Sequence, residues 1–202
     1  MLEDILKNAL EGLTVIEESS GSVSRVLARQ LGAFARARGR KVAFVSLLTW
    51  EQAVVREAPK IRVDAVTESQ GHGPQGGFPR SQVAPFLDGG SYDLLVVDAI
   101  SSFLFDRDER ESVETIRHLA KMVKQGKTFI VTFDPGLIDD KTAAYLRAAA
   151  DTVIVVKADL LGEKVSRTLY VPKLKDSKPL DKLIKITVDE AGVEVDTREF
   201  VG

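Results

Sequence analysis

The 202-residue sequence predicts an α/β fold, a mostly parallel sheet flanked by helices and followed by antiparallel hairpins. Two patterns carry that prediction. The runs "KVAFVSLL", "YDLLVVDA", "TFIVTFD" and "DTVIVVKAD" are continuously apolar, as in strands covered on both faces. Segments with apolar residues at helical spacing lie between them, so strand and helix alternate. Beyond residue 160 the pattern changes. "SRTLYVPKL", "LIKITVD" and "VEVD" alternate apolar and polar side chains around glycine turns, the signature of hairpins.

In chain order, Leu2, Ile5, Leu6, Ala9 and Leu10 predict a short amphipathic helix over 2–10 that ends near Gly12. Leu13 to Ile16 is a buried strand. Val23, Val26, Leu27, Leu31 and Phe34 then form one face of a helix that Gly39 caps. Residues 41–48 make the second strand. A short helix at 50–58 and a weak strand at 61–66 lead into "TESQGHGPQGGFPRS", whose glycines and prolines predict a surface loop over 67–81. There follow a helix at 80–87, a strand at 92–99, a helix around 108–125 started by Asp108 or Ser112, and a strand at 128–134. A helix near 137–150 and a strand at 151–159 complete the alternation. Pro172 cannot donate to a ladder, which predicts that its strand lies at a sheet edge.

With 44% apolar and 29% charged residues, the chain suits one domain over 1–202, with a core at about 12–160 and a hairpin extension at about 161–202. A net charge of −2 excludes a global basic field able to hold a nucleic-acid backbone or an anionic membrane. The absence of cysteine excludes disulfides and thiolate chemistry, and His72 and His118 are too few for a histidine-rich metal cluster. No run approaches the roughly 18 apolar residues of a membrane span, and "MLEDILKNALEGL" lacks the basic start of a signal peptide. A cytoplasmic protein is expected.

In such a sheet, ligands bind at the carboxyl ends of the strands, which directs attention to residues 17–24, 46–51, 98–102 and 132–136. "GLTVIEESSGSVSRVLARQL" places a small-residue turn between strand and helix, where a phosphate loop would sit. Glu18, Ser19, Ser20, Gly21, Ser22 and Ser24 form this vestigial loop. Ser19 to Ser22 can curl around an anion and Ser24 can offer a hydroxyl. No lysine occurs between Lys7 and Lys41, however, and Glu17 and Glu18 add negative charge where a triphosphate would lie. Asp98 ends "LLVVD", the position of an acid that holds a magnesium-bound water, although a capping acid at a strand end is common in any α/β protein.

Taken together, these segments resemble the RecA superfamily and most closely the KaiC-like ATPases of archaea. "LEDILKNALEGLTVIEE" is similar to that family's leading helix and first strand, and "VLARQLGAFARARGRKVAFVSL" to its first helix and second strand. "YDLLVVDAISSF" is similar to its Walker B strand, and "SRTLYVPKLK" to the strand that follows the core. The resemblance implies a RecA-like fold of the P-loop NTPase type and an ATP–magnesium site. It also implies that Arg167, Lys173 and Lys175 reach a neighbouring subunit's nucleotide in a ring. The departures fall on the chemistry: the phosphate-loop lysine and threonine are replaced by Ser22 and Val23 or by Ser24 and Arg25. The water-activating glutamates are replaced by Leu48 and Thr49, with Glu51 nearby. Phosphoryl transfer depends on positioning and charge neutralisation, so these losses predict a chain with no catalytic residues of an ATPase.

The expectation is therefore a catalytically inactive pseudoATPase that serves as a regulatory or assembly subunit through a protein partner or self-association, with no cofactor. One alternative is a divergent ATPase that holds ATP or ADP with magnesium on a lysine-free loop, with Arg25 or a neighbour's Lys173 supplying the charge. Another is nucleic-acid binding through Arg29, Arg36, Arg38, Arg40 and Lys41, which a solvated helix face explains equally well. Trp50 reads as core or interface, and His72 as a surface loop residue.

Overall fold

The computed structural model describes residues 7–19, 21–46, 91–105, 107–161, 164–180, 182–189 and 192–196. The segments expected at 50–58, 61–66, 67–81 and 80–87 lie outside them, as do Leu48, Thr49, Trp50, Glu51 and His72. Of the helix expected at 2–10, residues 7–10 are described, and they form a turn in which Leu10 N–H donates to the Lys7 carbonyl at 3.1 Å.

The described elements are β1 (Leu13–Glu18), α1 (Val23–Ala37), β2 (Val42–Ser46), β3 (Leu94–Asp98), α2 (Ile100–Leu104), α3 (Glu109–Lys124), β4 (Thr128–Phe133), α4 (Asp140–Ala149), β5 (Thr152–Leu161), β6 (Lys164–Lys173), β7 (Ile184–Asp189) and β8 (Gly192–Val195). A turn of 3-10 helix over Pro135–Leu137 precedes α4. The strands form one eight-stranded sheet in the order β2-β3-β4-β1-β5-β6-β7-β8. β2, β3, β4, β1 and β5 are mutually parallel, whereas β6, β7 and β8 add on in antiparallel fashion. The expected architecture is thus present: a parallel core with helices, extended by hairpins.

The alternation of side chains across each strand divides the core in two. On one face Leu13, Val15, Leu95, Val97, Phe129 and Val131 pack with Phe103 of α2, Ile116 and Leu119 of α3, and Leu146 of α4. On the other, Ile16, Val96, Ile130 and Ile154 pack with Leu27 and Leu31 of α1, and the same cluster continues onto Leu169, Val171, Ile184 and Ile186 of the hairpins. Burying a leucine fully contributes about 2 kcal/mol, so α1 is held mainly by this stripe. It stops where Gly39 adopts φ 81°, a left-handed conformation that glycine enters without a Cβ penalty.

α3 begins as expected at Asp108, whose side chain accepts the Glu111 N–H at 2.8 Å. Glu109 and Glu111 in its first turn and Lys121 and Lys124 in its last suit the helix dipole.

Pro172 corrects one expectation. β6 lies between β5 and β7 rather than at an edge of the sheet. The proline is tolerated because the β5–β6 register shifts between Val153 and Val155, and because β7 pairs with β6 only from Arg167 to Leu169. Pro172 therefore falls in a bulge beyond its neighbour's reach, where no donor is required.

Asp139 caps α4 by accepting the Thr142 N–H at 2.9 Å. The Thr142 hydroxyl first, and then its N–H, hold the Asp139 carboxyl below its ordinary value of 3.8. A depressed folded-state value means stability that is present above the ordinary value and lost as pH falls through the folded one. Asp139→Ala is therefore expected to cost about 1 kcal/mol at neutral pH. Urea denaturation at stepped pH should show the gap from wild type closing once the pH drops below 3.8.

Candidate functional site

The parallel register brings the ends of β1, β2, β3 and β4 together. Ser46 lies opposite Asp98, Val97 opposite Val131, and Ile16 opposite Thr132. The four stretches singled out in the sequence converge here as far as they are described, around a cleft of about 110 Å³ lined by Glu18, Gly21, Ser24, Arg25, Asp98, Ser101, Thr132 and Asp134 among others.

Strand alternation separates the two adjacent glutamates. Glu17 points to the α4 face, where Arg147 grips it with two hydrogen bonds, Nε to Oε2 at 2.7 Å and an Nη to Oε1 at 2.9 Å. That bonding holds the Arg147 guanidinium above its ordinary value. Glu17 thus does not crowd a triphosphate position, which corrects the expectation that both acids would.

Glu18 turns to the α1 face and is 5% exposed. Its Oε2 accepts the Ser24 N–H at 2.6 Å. α1 has no acidic residue in its first turn, and its N-cap Ser22 makes no side-chain capping bond, so the carboxylate at the end of β1 takes over that task. Gly21 makes room for it, since a Cβ there would lie 1.9 Å from Glu18 Oε1. Ser19 is exposed and Ser20 lies outside the described residues.

Among the described residues, Asp98 has three partners. Arg25 Nε stands 2.8 Å from Oδ2 as an ion pair, with the Arg25 side chain 36% exposed and that of Asp98 13%. The Ser46 hydroxyl donates to Oδ2 at 3.1 Å and the Thr132 hydroxyl to Oδ1 at 3.0 Å. Thr132 Oγ1 in turn accepts the Ala99 N–H at 2.7 Å. Ala99 sits at φ 61°, ψ 55°, a left-handed conformation that costs a non-glycine residue about 1 kcal/mol and that this bond helps to hold. Ser101 Oγ accepts the Asp134 N–H at 3.1 Å and ties β4 to α2.

The three basic residues of the late strand are not brought together. Arg167 pairs with Ala158 of β5, beyond the level at which Glu18 meets Val156. Lys173 lies opposite Val153 at the amino end of β5 and donates to the Ala148 carbonyl at 2.9 Å. Lys175 pairs with Glu11 at 3.3 Å beside an open hollow of about 390 Å³ at the amino ends of the strands, which Arg40 and Lys127 also line. Arg40 there donates to the Asp93 carbonyl and the Thr128 hydroxyl, and Lys127 to the Tyr92 carbonyl.

No protein-family model matches this chain, and no curated protein does either. Solved structures do match. The flagellar accessory protein FlaH from Methanocaldococcus jannaschii superposes with a TM-score of 0.65 at 15% identity, covering 92% of this chain and 89% of that one. The KaiC-like protein PH0186 from Pyrococcus horikoshii OT3 gives a TM-score of 0.65 at 19% identity with the same coverage. The fold is RecA-like.

The side chains at the cleft do not fit a magnesium nucleotide as placed. A carboxylate holds the Ser24 amide, a guanidinium holds the acid that would anchor a metal's water, and among the described residues the cleft is far below the roughly 300–1,000 Å³ of small-molecule pockets. Among the described residues no cluster of histidine and acid side chains suits a metal ion.

Arg25→Ala should leave Asp98 with hydroxyl donors but no counter-charge, at a cost of about 1–2 kcal/mol. In a double-mutant cycle with Asp98→Asn, denaturant unfolding is expected to give a coupling energy of about 1 kcal/mol. Additive losses would mean that the pair is incidental.

Proposed function

We propose that this chain is a catalytically silent RecA-like subunit, a regulatory or assembly component that acts through protein contacts. The observation that carries the reading is the engagement of Asp98, the one acid retained from the site implied by the resemblance, with Arg25, Ser46 and Thr132. An acid with an internal counter-ion and two hydroxyl donors has little left to offer a metal's water shell.

Charge supports the same conclusion. Among the described residues, Glu18, Asp98 and Asp134 line the cleft against the guanidinium of Arg25, a balance that opposes a polyphosphate. Contact surfaces remain on the outside: Phe105 is 60% exposed, Leu183 61% and Leu160 80%, and Leu160 faces Val165 across the β5–β6 hairpin. In this reading Arg167, Lys173 and Lys175 serve contacts at opposite ends of the sheet rather than one shared nucleotide.

Calorimetry of the wild-type chain with ATP or ADP and magnesium, run beside a phosphate-release assay and a solution mass, tests this. The expected result is no heat at micromolar nucleotide, no release above background, and a mass above the 22.1 kDa of one chain or a complex with another protein. Saturable heat or turnover would replace this reading with that of a lysine-free nucleotide site.

A further inference from the structure

We propose that the hollow between Arg40, Lys127 and Lys175, at the amino ends of the strands, docks an acidic segment of a partner protein through its carboxylates. The inference rests on the reading of this chain as a subunit that acts through protein contacts, and it gives the chemistry of one such contact.

Arg36, Lys121 and Lys124 stand in the last turns of α1 and α3, where they offset the helix dipoles. Arg40, Lys127 and Lys175 lie outside any helix and converge on one hollow of about 390 Å³. Among the described residues Arg40 has no carboxylate partner: its guanidinium donates to the Leu10 and Asp93 carbonyls and to the Thr128 hydroxyl. Lys127 donates to the Tyr92 carbonyl at 2.7 Å. Lys175 meets Glu11 at 3.3 Å, and the Glu11 side chain is 65% exposed. Among the described residues, three cations thus line the hollow against one carboxylate. Asp93 and Asp151, at the same end of the sheet, are turned to the backbone, where each accepts an N–H at 2.8 Å, from Lys41 and Leu13 respectively.

Neutral acceptors hold the Arg40 guanidinium in place without cancelling its charge, so an incoming carboxylate loses little to ordering it. A guanidinium also matches a carboxylate in shape and charge. Exposed Lys41 and Lys124 adjoin the lining residues Arg40 and Val123 in the chain and carry positive charge past the rim, which suits an extended segment over a single small ion. A nucleic acid fits less well, because base stacking needs open rings. Tyr92 is 3% exposed with Lys127 Nζ 4.6 Å from its ring centre, and the Arg38 guanidinium covers Phe34 at 3.3 Å.

The probe is a capped octaglutamate peptide, titrated into the full chain at fixed ionic strength and followed through the Gly126 and Thr128 amide resonances. Wild type is expected to saturate, with those two amides moving and the Ser24 amide still. Glu11→Gln frees Lys175 and should tighten binding about threefold, whereas Lys127→Gln with Lys175→Gln should weaken it about tenfold. Arg110→Gln with Lys141→Gln removes the same charge from exposed pairs in the first turns of α3 and α4, and should leave the affinity unchanged. If the Lys127 and Lys175 double variant loses its cooperative thermal transition, Lys175→Gln alone carries the comparison, with a weakening of about threefold expected. The proposal is overturned if wild type shows no saturable binding, if the affinity falls equally in both double variants, if Lys175→Gln binds like wild type, or if a single-stranded oligonucleotide of equal charge binds more tightly. Turnover of ATP would defeat the silent-subunit reading separately, since it is measured without the peptide.

Discussion

A single carboxylate against the first turn of α1 orders the carboxyl edge of this sheet. The amides at a helix start need an acceptor, and the N-cap Ser22 supplies none from its side chain. Glu18 provides one from the strand before it, at 2.6 Å from the Ser24 nitrogen. The rest of the edge is arranged consistently with that choice.

Arg25 follows from the same constraint. It sits one residue beyond Ser24 on α1, and its guanidinium reaches across to Asp98 at the end of β3. The hydroxyls of Ser46 and Thr132 complete the shell, and Thr132 also holds Ala99 in its left-handed turn. β1, β2, β3, β4 and α1 are thus fastened together at one end by polar contacts internal to the chain. In an enzyme of this fold class, a ligand would contribute part of that cohesion. Here Glu18, Arg25, Ser46 and Thr132 of the chain itself make those contacts.

Much of the fold was legible in the sequence because continuous apolar runs separated by helical stripes admit few arrangements. The parallel strands, α1, α3 and the change to antiparallel pairing after β5 follow from that pattern. The site was less legible. Glu17 and Glu18 read as one block of charge, yet strand alternation sends them to opposite faces, one to Arg147 and the other into the loop. That separation was available from the period of the strand. The role of Thr132 was not, since its bond to Asp98 joins residues 34 apart through register alone. Arg25 was visible as a spare charge near the loop, but nothing in its neighbourhood indicated that it would neutralise an acid from another strand. Pro172 misled for a related reason, because a bulge and a short neighbouring strand can shelter a proline within a sheet.

The most direct test of the account follows the Ser24 amide of the wild-type chain by ¹H–¹⁵N correlation while ATP and magnesium are added. If Glu18 fills the loop, that resonance stays in place into the millimolar range, as do the amides of Gly21 and Ala99. A saturable shift of Ser24 at micromolar nucleotide would mean that the carboxylate yields to phosphate, and would contradict the claim that the site is occupied from within.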